Sequence, residues 1–315
     1  MWSMILRRIA IGVLTLWVVS VLVFIGTEIL PGDMAEVMLG QSATPETLAA
    51  LRAQLGLDRP APLRYLDWLE SMARADLGLS RAGGATIQSL IADRLGNTLM
   101  LAAAVALISV PLSVGIGLIA AMNPATRTDR AISFGTLGLI SLPEFFTATV
   151  LVILFAVQLR WLPSVAYLSG TEDFWGLARA LALPVLTLTI AISGQMIRLT
   201  RASVLNVIDS AYVEMAILKG VPRRRIVLRH ALPNAIGPIA NVIALNLAYL
   251  VSGVVIVETV FAYPGLAKLM IDGVQMRDLP LVQACAMIFC ATYVVLLLIA
   301  DIAAIASNPR LRHPR

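Results

Sequence analysis

Six separate stretches of this chain stay apolar for about 20 residues, the length a helix needs to cross the hydrocarbon core of a bilayer. They are 9–30, 98–122, 131–159, 181–199, 236–257 and 281–306. Of the 315 residues, 59% are hydrophobic and 14% are charged, against about 25% charged in a soluble domain. A water-exposed surface cannot be built from so little charge, whereas a lipid-facing surface needs none. The predicted fold is all-α: a polytopic membrane protein with six transmembrane helices and an external helical segment between spans one and two. The first span falls in 1–30, the external segment in 31–96, a five-helix core in 97–306 and a tail in 307–315. Arg7 and Arg8 precede the first run as they would in a signal peptide. The run is long and lacks a small-residue cleavage pattern, so it reads as an uncleaved anchor.

The net charge of +5 does not mark a nucleic-acid surface, because the cations sit in short loops between apolar runs. Arg7 and Arg8, Arg127 and Arg130, the group from Arg198 to Arg229, and Arg310, Arg312 and Arg315 all fall on one side of a six-span chain. The opposite short loops hold only Arg160, Arg179, Lys268 and Arg277. By the positive-inside rule both termini lie in the cytoplasm. Cys285 and Cys290 are five residues apart in an apolar run and do not share a helix face, so they read as small buried hydrophobes. With His230 and His313 as the only histidines, a histidine-based metal site has no ligand set, and no metal or cofactor is expected in this chain.

Segment 31–96 has helix punctuation. Thr44-Pro45-Glu46 reads as an N-cap, a proline at the first helical position and an acid in the first turn. Leu48, Leu51 and Leu55 recur at helical spacing up to Gly56. A second helix is predicted over 62–75, with Tyr65, Trp68 and Met72 in one stripe. Both helices are expected to lay their apolar faces over the outer mouth of the bundle. Ala102, Ala103, Ala104, Ala106, Gly115 and Gly117 mark span two for close packing, and Pro111 and Pro184 are positioned to kink spans two and four.

The loop at 199–235 is the most informative segment. Asp209 or Ser210 can cap a short helix over 211–219, and Gly220 can end it at positive φ. Pro222 suits the first position of a second helix carrying Arg223, Arg224, Arg225 and Arg229, which Pro233 is expected to stop before span five. Two short helices joined by a glycine elbow and tied to two spans make a lever that can pass on motion from a cytoplasmic partner.

These residues resemble a known family. Glu214-Met215-Ala216, three residues, Gly220, nine residues, then His230-Ala231-Leu232-Pro233 is similar to the EAA motif of ABC importer permeases, with Met215 and His230 departing from the pattern. Further motifs narrow the likeness to the B-type permease of the dipeptide/oligopeptide/nickel group. They are Ile29-Leu30-Pro31-Gly32-Asp33, Leu55-Gly56-Leu57-Asp58, Asp76-Leu77-Gly78-Leu79-Ser80, Glu258-Thr259-Val260-Phe261 with Pro264-Gly265-Leu266, and Asn308-Pro309-Arg310. The resemblance implies a type I ABC importer permease fold forming half of a pathway for peptides or similar small solutes. It implies a homologous C-type permease, two ATPase subunits binding ATP and Mg, and an external solute-binding protein. It also implies ATPase coupling through Tyr212, Glu214, Met215, Ala216, Lys219, Gly220, Pro222 and Arg223. Independently, Lys219 is followed by Gly220 and Lys268 by Leu269, so no Gly-Lys-Ser/Thr phosphate loop exists. ATP hydrolysis belongs to another subunit, and this chain is not itself an enzyme.

Ionisable groups inside spans are default functional candidates. Glu28 and Glu258 fall near external span ends, where water or headgroups reach them, and Asp301 is expected to pair with Arg198 or Arg201. Glu144, just after Pro143 in span three and three residues after Ser141, is the candidate for a polar spot on the pathway wall or for an interhelical hydrogen bond. Gln195, Asn241 and Asn246 are further pathway candidates. The competing reading is an ion-gradient-driven secondary transporter subunit, which would show internal repeats and paired broken helices. No convincing half-to-half repeat is present.

Overall fold

The computed structural model describes residues 2–29, 35, 39–40, 43–54, 56–168 and 173–307. Residues 30–33, Leu55 and 308–310 of the motifs above lie outside that description, as does the side chain of Asp301. Among the described residues the chain is helical, with one isolated antiparallel bridge between Leu79 and Thr86. Helices α1 (Trp2–Ile29), α2 (Pro45–Gln54), α3 (Ala61–Ala73) and α4 (Ile87–Met122) lead to α5 (Arg127–Ser141) and α6 (Glu144–Leu151). Helices α7 (Phe174–Ile208), α8 (Ala211–Leu218), α9 (Leu232–Val260), α10 (Leu266–Gln275) and α11 (Leu279–Ser307) follow.

Five described helices are long and apolar enough to cross a membrane, at Leu6–Ile29, Ile87–Met122, Phe174–Ile208, Arg223–Leu250 and Leu279–Ile299. The predicted third span is not one straight helix. Arg127–Ser141 and Glu144–Gln158 meet at 98° and make a sixth crossing only as a broken pair. The cause is local. A residue before proline is driven out of the helical region, and Leu142 sits at φ −83°, ψ 123°. Pro143 then starts a new helix, its carbonyl accepting from the Thr147 N–H at 3.1 Å. Helices α4 and α7, by contrast, run on through Pro111 and Pro184.

The chain divides into two compact units, one holding Leu99–Tyr263 and the other Ile9–Thr98 with Pro264–Val294. In the second, α3 turns its stripe onto α1: the Phe24 ring lies 5.4 Å from Tyr65 and 6.1 Å from Trp68, and the hydroxyls of Ser20 and Tyr65 are 2.9 Å apart. Met72 packs with Ile87, Ile91, Leu266, Leu281 and Cys285. Both cysteines are free. The start of α2 is held by a reciprocal pair: Thr47 N–H donates to the Thr44 hydroxyl, and Thr44 N–H to that of Thr47. Its end closes with Leu57 N–H on the Arg52 carbonyl and Gly56 N–H on that of Ala53, the pattern expected of a glycine-terminated helix. The Asp278 carboxylate, fully buried, accepts from the Ser80 hydroxyl and the Ala82 N–H. It thereby fastens the 79–86 turn to the start of α11.

In the first unit, α7 is the central helix, with most of its residues from Leu181 to Thr200 buried. Helix α4 approaches it at Gly117, where an added Cβ would lie 2.8 Å from the Thr200 Cβ and 3.0 Å from the Ile197 carbonyl oxygen. Gly115, expected to share that role, has nothing within 4 Å of such a Cβ. Helix α5 lies over Gly194 of α7 through Thr136, Leu139 and Ile140. The two sites of α4 therefore predict opposite outcomes. Gly117→Ala should lower the unfolding free energy of the detergent-solubilised chain by about 1–3 kcal/mol, the cost of overpacking. Gly115→Ala should raise it by about 0.5–1 kcal/mol, the difference between glycine and alanine in a helix interior. Thermal or chemical unfolding of the two variants checks this.

Candidate functional site

The elbow between α7 and α9 is built from its own backbone outward. The Ser210 carbonyl accepts from the N–H groups of Val213 and Glu214 at 2.9 and 3.1 Å, opening α8. The Ser210 hydroxyl does not cap it but donates back to the Val207 carbonyl. Helix α8 closes at Gly220, with φ +73°. Val221 N–H donates to the Ala216 carbonyl at 3.2 Å, and Gly220 N–H to that of Ile217 at 2.9 Å. Two of the last carbonyls are thus satisfied by a left-handed residue. Pro222 is the cap rather than the first helical residue of the next turn, its carbonyl accepting from Arg225 and Ile226.

Beyond Arg223–Arg225 the backbone widens into a π-helical segment, Ile226–Ala231, and continues into α9. Pro233 does not stop this helix, contrary to the sequence expectation. It occupies the second position of α9, where a missing N–H removes one ladder bond without ending the helix. The His230 carbonyl accepts from the Asn234 side-chain amide at 2.9 Å and from the Tyr212 hydroxyl at 3.2 Å. The second bond ties the two arms of the elbow together.

The two faces of α8 differ sharply. Val213 and Ala216 are buried among Val204, Ile208, Ile226, Val227 and Ala231. Tyr212, Met215, Ile217 and Leu218 are 48%, 55%, 49% and 75% exposed, and Glu214, Lys219, Gly220, Pro222 and Arg223 are exposed as well. Ala216 therefore lies inside the elbow and is closed to a partner. The family resemblance had grouped it with its outward-facing neighbours.

The five polar residues singled out within the spans do not form one cluster. Ser141 is exposed at the end of α5, its hydroxyl donating to the Leu137 carbonyl. Glu144 is half-buried at the start of α6. The 98° bend takes Ser141 off the helix face that a straight span would have shared with Glu144. The Glu144 Oε1 atom is buried and has no hydrogen-bond partner. Tyr249 of α9 lies within electrostatic range of it. Gln195 on α7 and Asn241 on α9 are exposed. Asn246 donates to the Val242 carbonyl of its own helix at 2.8 Å. Glu28 pairs with Arg64 at 2.6 Å. Glu258 is fully buried, so water does not reach it as its position in the sequence had led us to expect.

One ion pair escaped the sequence reading. Arg201 donates through Nε and Nη2 to both oxygens of Asp129 at 2.6 and 2.8 Å, joining the start of α5 to the last turns of α7. Asp129 is therefore a partner of Arg201, and the expectation for Asp301 falls on a side chain outside the described residues. Thr126 caps α5 by accepting from the Asp129 N–H, a Thr-x-x-Asp pattern that marks the helix start but not the distant arginine.

Long apolar helices, one broken crossing and a rigid, half-apolar elbow between two of them define a multi-pass membrane permease. The chain belongs to the family of binding-protein-dependent transport system inner membrane components, which it matches over residues 113–313, with the N-terminal part of that family matched over residues 1–102. It is the permease subunit of an ABC importer. A probable peptide ABC transporter permease protein of Sinorhizobium fredii is 34% identical, over 98% of this chain and 99% of that one. A putative peptide transport system permease protein of Brucella abortus is 33% identical, over 99% and 100%. The glutathione transport system permease protein GsiC of Escherichia coli is 34% identical, over 99% and 100%. Among solved structures, a chain of the methionine ABC transporter MetNI in inward-facing conformations aligns with a TM-score of 0.56 at 16% identity. It covers 70% of this chain and 97% of that one, a likeness of fold.

The inward and outward faces of α8 are distinguishable by stability. Ala216→Leu forces volume into the closed angle and should cost about 1–3 kcal/mol. Leu218→Ser, on the exposed face, should stay within about 0.5 kcal/mol of the parent. Unfolding in detergent measures both.

Proposed function

We propose that this chain forms one half of the pathway of a peptide importer and is driven through the outer face of α8 by two separate ATPase subunits that bind ATP and Mg. A homologous C-type permease completes the pathway, and an external solute-binding protein delivers the solute. Both termini and the elbow face the cytoplasm, in keeping with the arginines that flank the spans on that side. The peptide assignment leans on the names of the relatives, two of them peptide permeases and one a glutathione permease.

The observation that carries the coupling role is the two-faced elbow. A solvent-facing helix of eight residues that exposes Tyr212, Met215, Ile217 and Leu218 leaves large apolar area to be covered. The same helix is locked from behind by Val213, Ala216, the Gly220 closure and the Tyr212–His230 bond. A push on its outer face is therefore delivered to α7 and α9 rather than absorbed in a loop. Glu214, Lys219, Pro222 and Arg223 surround that apolar face and give it register with the ATPase.

Gly220→Val tests this directly. At φ +73° a β-branched residue is strained by about 1–3 kcal/mol, with no obstruction from neighbours. Uptake by the assembled importer should drop by about tenfold or more while the permease remains folded in the membrane. Unchanged uptake would remove the elbow from the coupling path.

Within the pathway, Glu144, with Tyr249 beside it and one oxygen buried without a partner, is the contact for the ammonium of a free peptide. Ser141, Gln195, Asn241 and Asn246 stand as weaker wall residues. Glu144→Gln keeps shape and removes charge. Uptake of a free-amine peptide should fall about tenfold, the worth of a charge-assisted hydrogen bond, while its N-acetylated form is transported as before. Equal loss for both forms would assign Glu144 to packing.

A further inference from the structure

The segment between α1 and α4, with parts of α1 and α11, lines an open cavity of about 510 Å³ that the transport reading does not use. One wall is apolar, made by Phe24, Trp68, Met72 and Leu279. Arg64 and Arg81 line the cavity as well. Of the other charges of the cavity, Arg59 and Asp67 match each other at 2.5 Å, whereas the Asp76 carboxylate has only a backbone donor, the Gly78 N–H. Arg64 gives Nη2 to Glu28, yet its Nε is buried with no partner.

Arg81 is less satisfied still. It is half-buried, and among the described residues its side chain makes no hydrogen bond or ion pair. The nearest carboxylate in electrostatic terms is Asp278, whose oxygens already accept from Ser80, Ala82 and Leu281. Burial lowers the Arg81 guanidinium below its ordinary value despite the pull of Asp278, and Arg64 pushes in the same direction. A cation half-removed from water is favourable only beside an opposite charge. Arginine presents a planar fork of donors suited to two oxygens of one acid group.

We propose that this cavity binds an oxyanion, a carboxylate or a phosphate, carried on an apolar body, with Arg81 holding the acid group and Arg64 adding its charge nearby. The apolar body lies against Phe24, Trp68 and Met72. Two sources supply that chemistry: the headgroup of an anionic phospholipid, and the C-terminal carboxylate of a peptide. Neither depends on the coupling role of the elbow, so the site stands or falls separately from the transport reading.

The test uses the whole importer in nanodiscs of phosphatidylcholine. Retention of added phosphatidylglycerol is read by native mass spectrometry. Affinity for the dipeptide Ala-Phe and for its C-terminal amide is read by calorimetry, with the solute-binding protein absent. Phosphatidylglycerol held in preference to phosphatidylcholine, and lost about tenfold in Arg81→Gln, identifies a lipid site. Ala-Phe bound at least tenfold more tightly than its amide, with the same dependence on Arg81, identifies a solute site. Arg81→Lys should retain part of the affinity in either case, and Trp68→Leu should weaken it without altering the preference for charge. If neither ligand is preferred over its counterpart, or if Arg81→Gln binds as the parent does, the site is refuted. If the glutamine variant fails to assemble, the lysine and leucine variants carry the same decision.

Discussion

Inside a bilayer every backbone N–H and C=O must find its partner within the protein, because lipid offers none and each unmet group costs several kcal/mol. That requirement forces the apolar runs of this chain into helices and restricts where they can be interrupted. Three interruptions among the described residues are re-satisfied within the chain. At Leu142–Pro143 the Leu142 N–H still reaches the Leu139 carbonyl, and the Pro143 carbonyl is taken up by the next helix. At Ile226–Ala231 the widened turn is followed by the His230 carbonyl, which Asn234 and Tyr212 cover from the side. At Gly220, in the solvent-facing elbow outside the spans, a left-handed residue likewise brings two N–H groups back onto the closing turn of α8.

A chain that answers backbone demand this way gains rigid corners in place of flexible joints. The elbow is the clearest case. Its inner face is packed, its end is closed and its two arms are bonded together, so its exposed face can carry force. The bend at Leu142 has a different effect. It places Glu144 at the first turn of α6, where the helix dipole favours an anion, and packs it near Tyr249 of α9. Position, more than intrinsic chemistry, is what makes this carboxylate the best candidate among the polar residues of the spans.

Much of this was readable before any coordinates. Apolar run length reported the crossings, because hydropathy is what the bilayer selects. Thr44, Gly56 and Gly220 reported helix ends, because capping is a matter of a few adjacent residues. The break in the third crossing was hidden, since the run stays apolar across Leu142 and Pro143 while the constraint is one of backbone angles. Pro233 misled for the converse reason: at the second position of a helix a proline is tolerated. The bond between Arg201 and Asp129 spans 72 residues, and no local pattern specifies which distant cation an acid will meet. Ala216 reads as part of a motif in the sequence, but only packing shows that it points inward.

The most direct measurement of how force reaches this subunit is site-specific cross-linking between α8 and the ATPase in the assembled importer. Single cysteines at positions 215, 216 and 218, in a chain with Cys285 and Cys290 replaced by alanine, are probed with a short bifunctional maleimide. Cross-links from Met215→Cys and Leu218→Cys that change with ATP, and none from Ala216→Cys, are the result expected if the exposed face of α8 is the coupling surface. Cross-linking from position 216 alone, or none from α8 while another segment captures the ATPase, would contradict it.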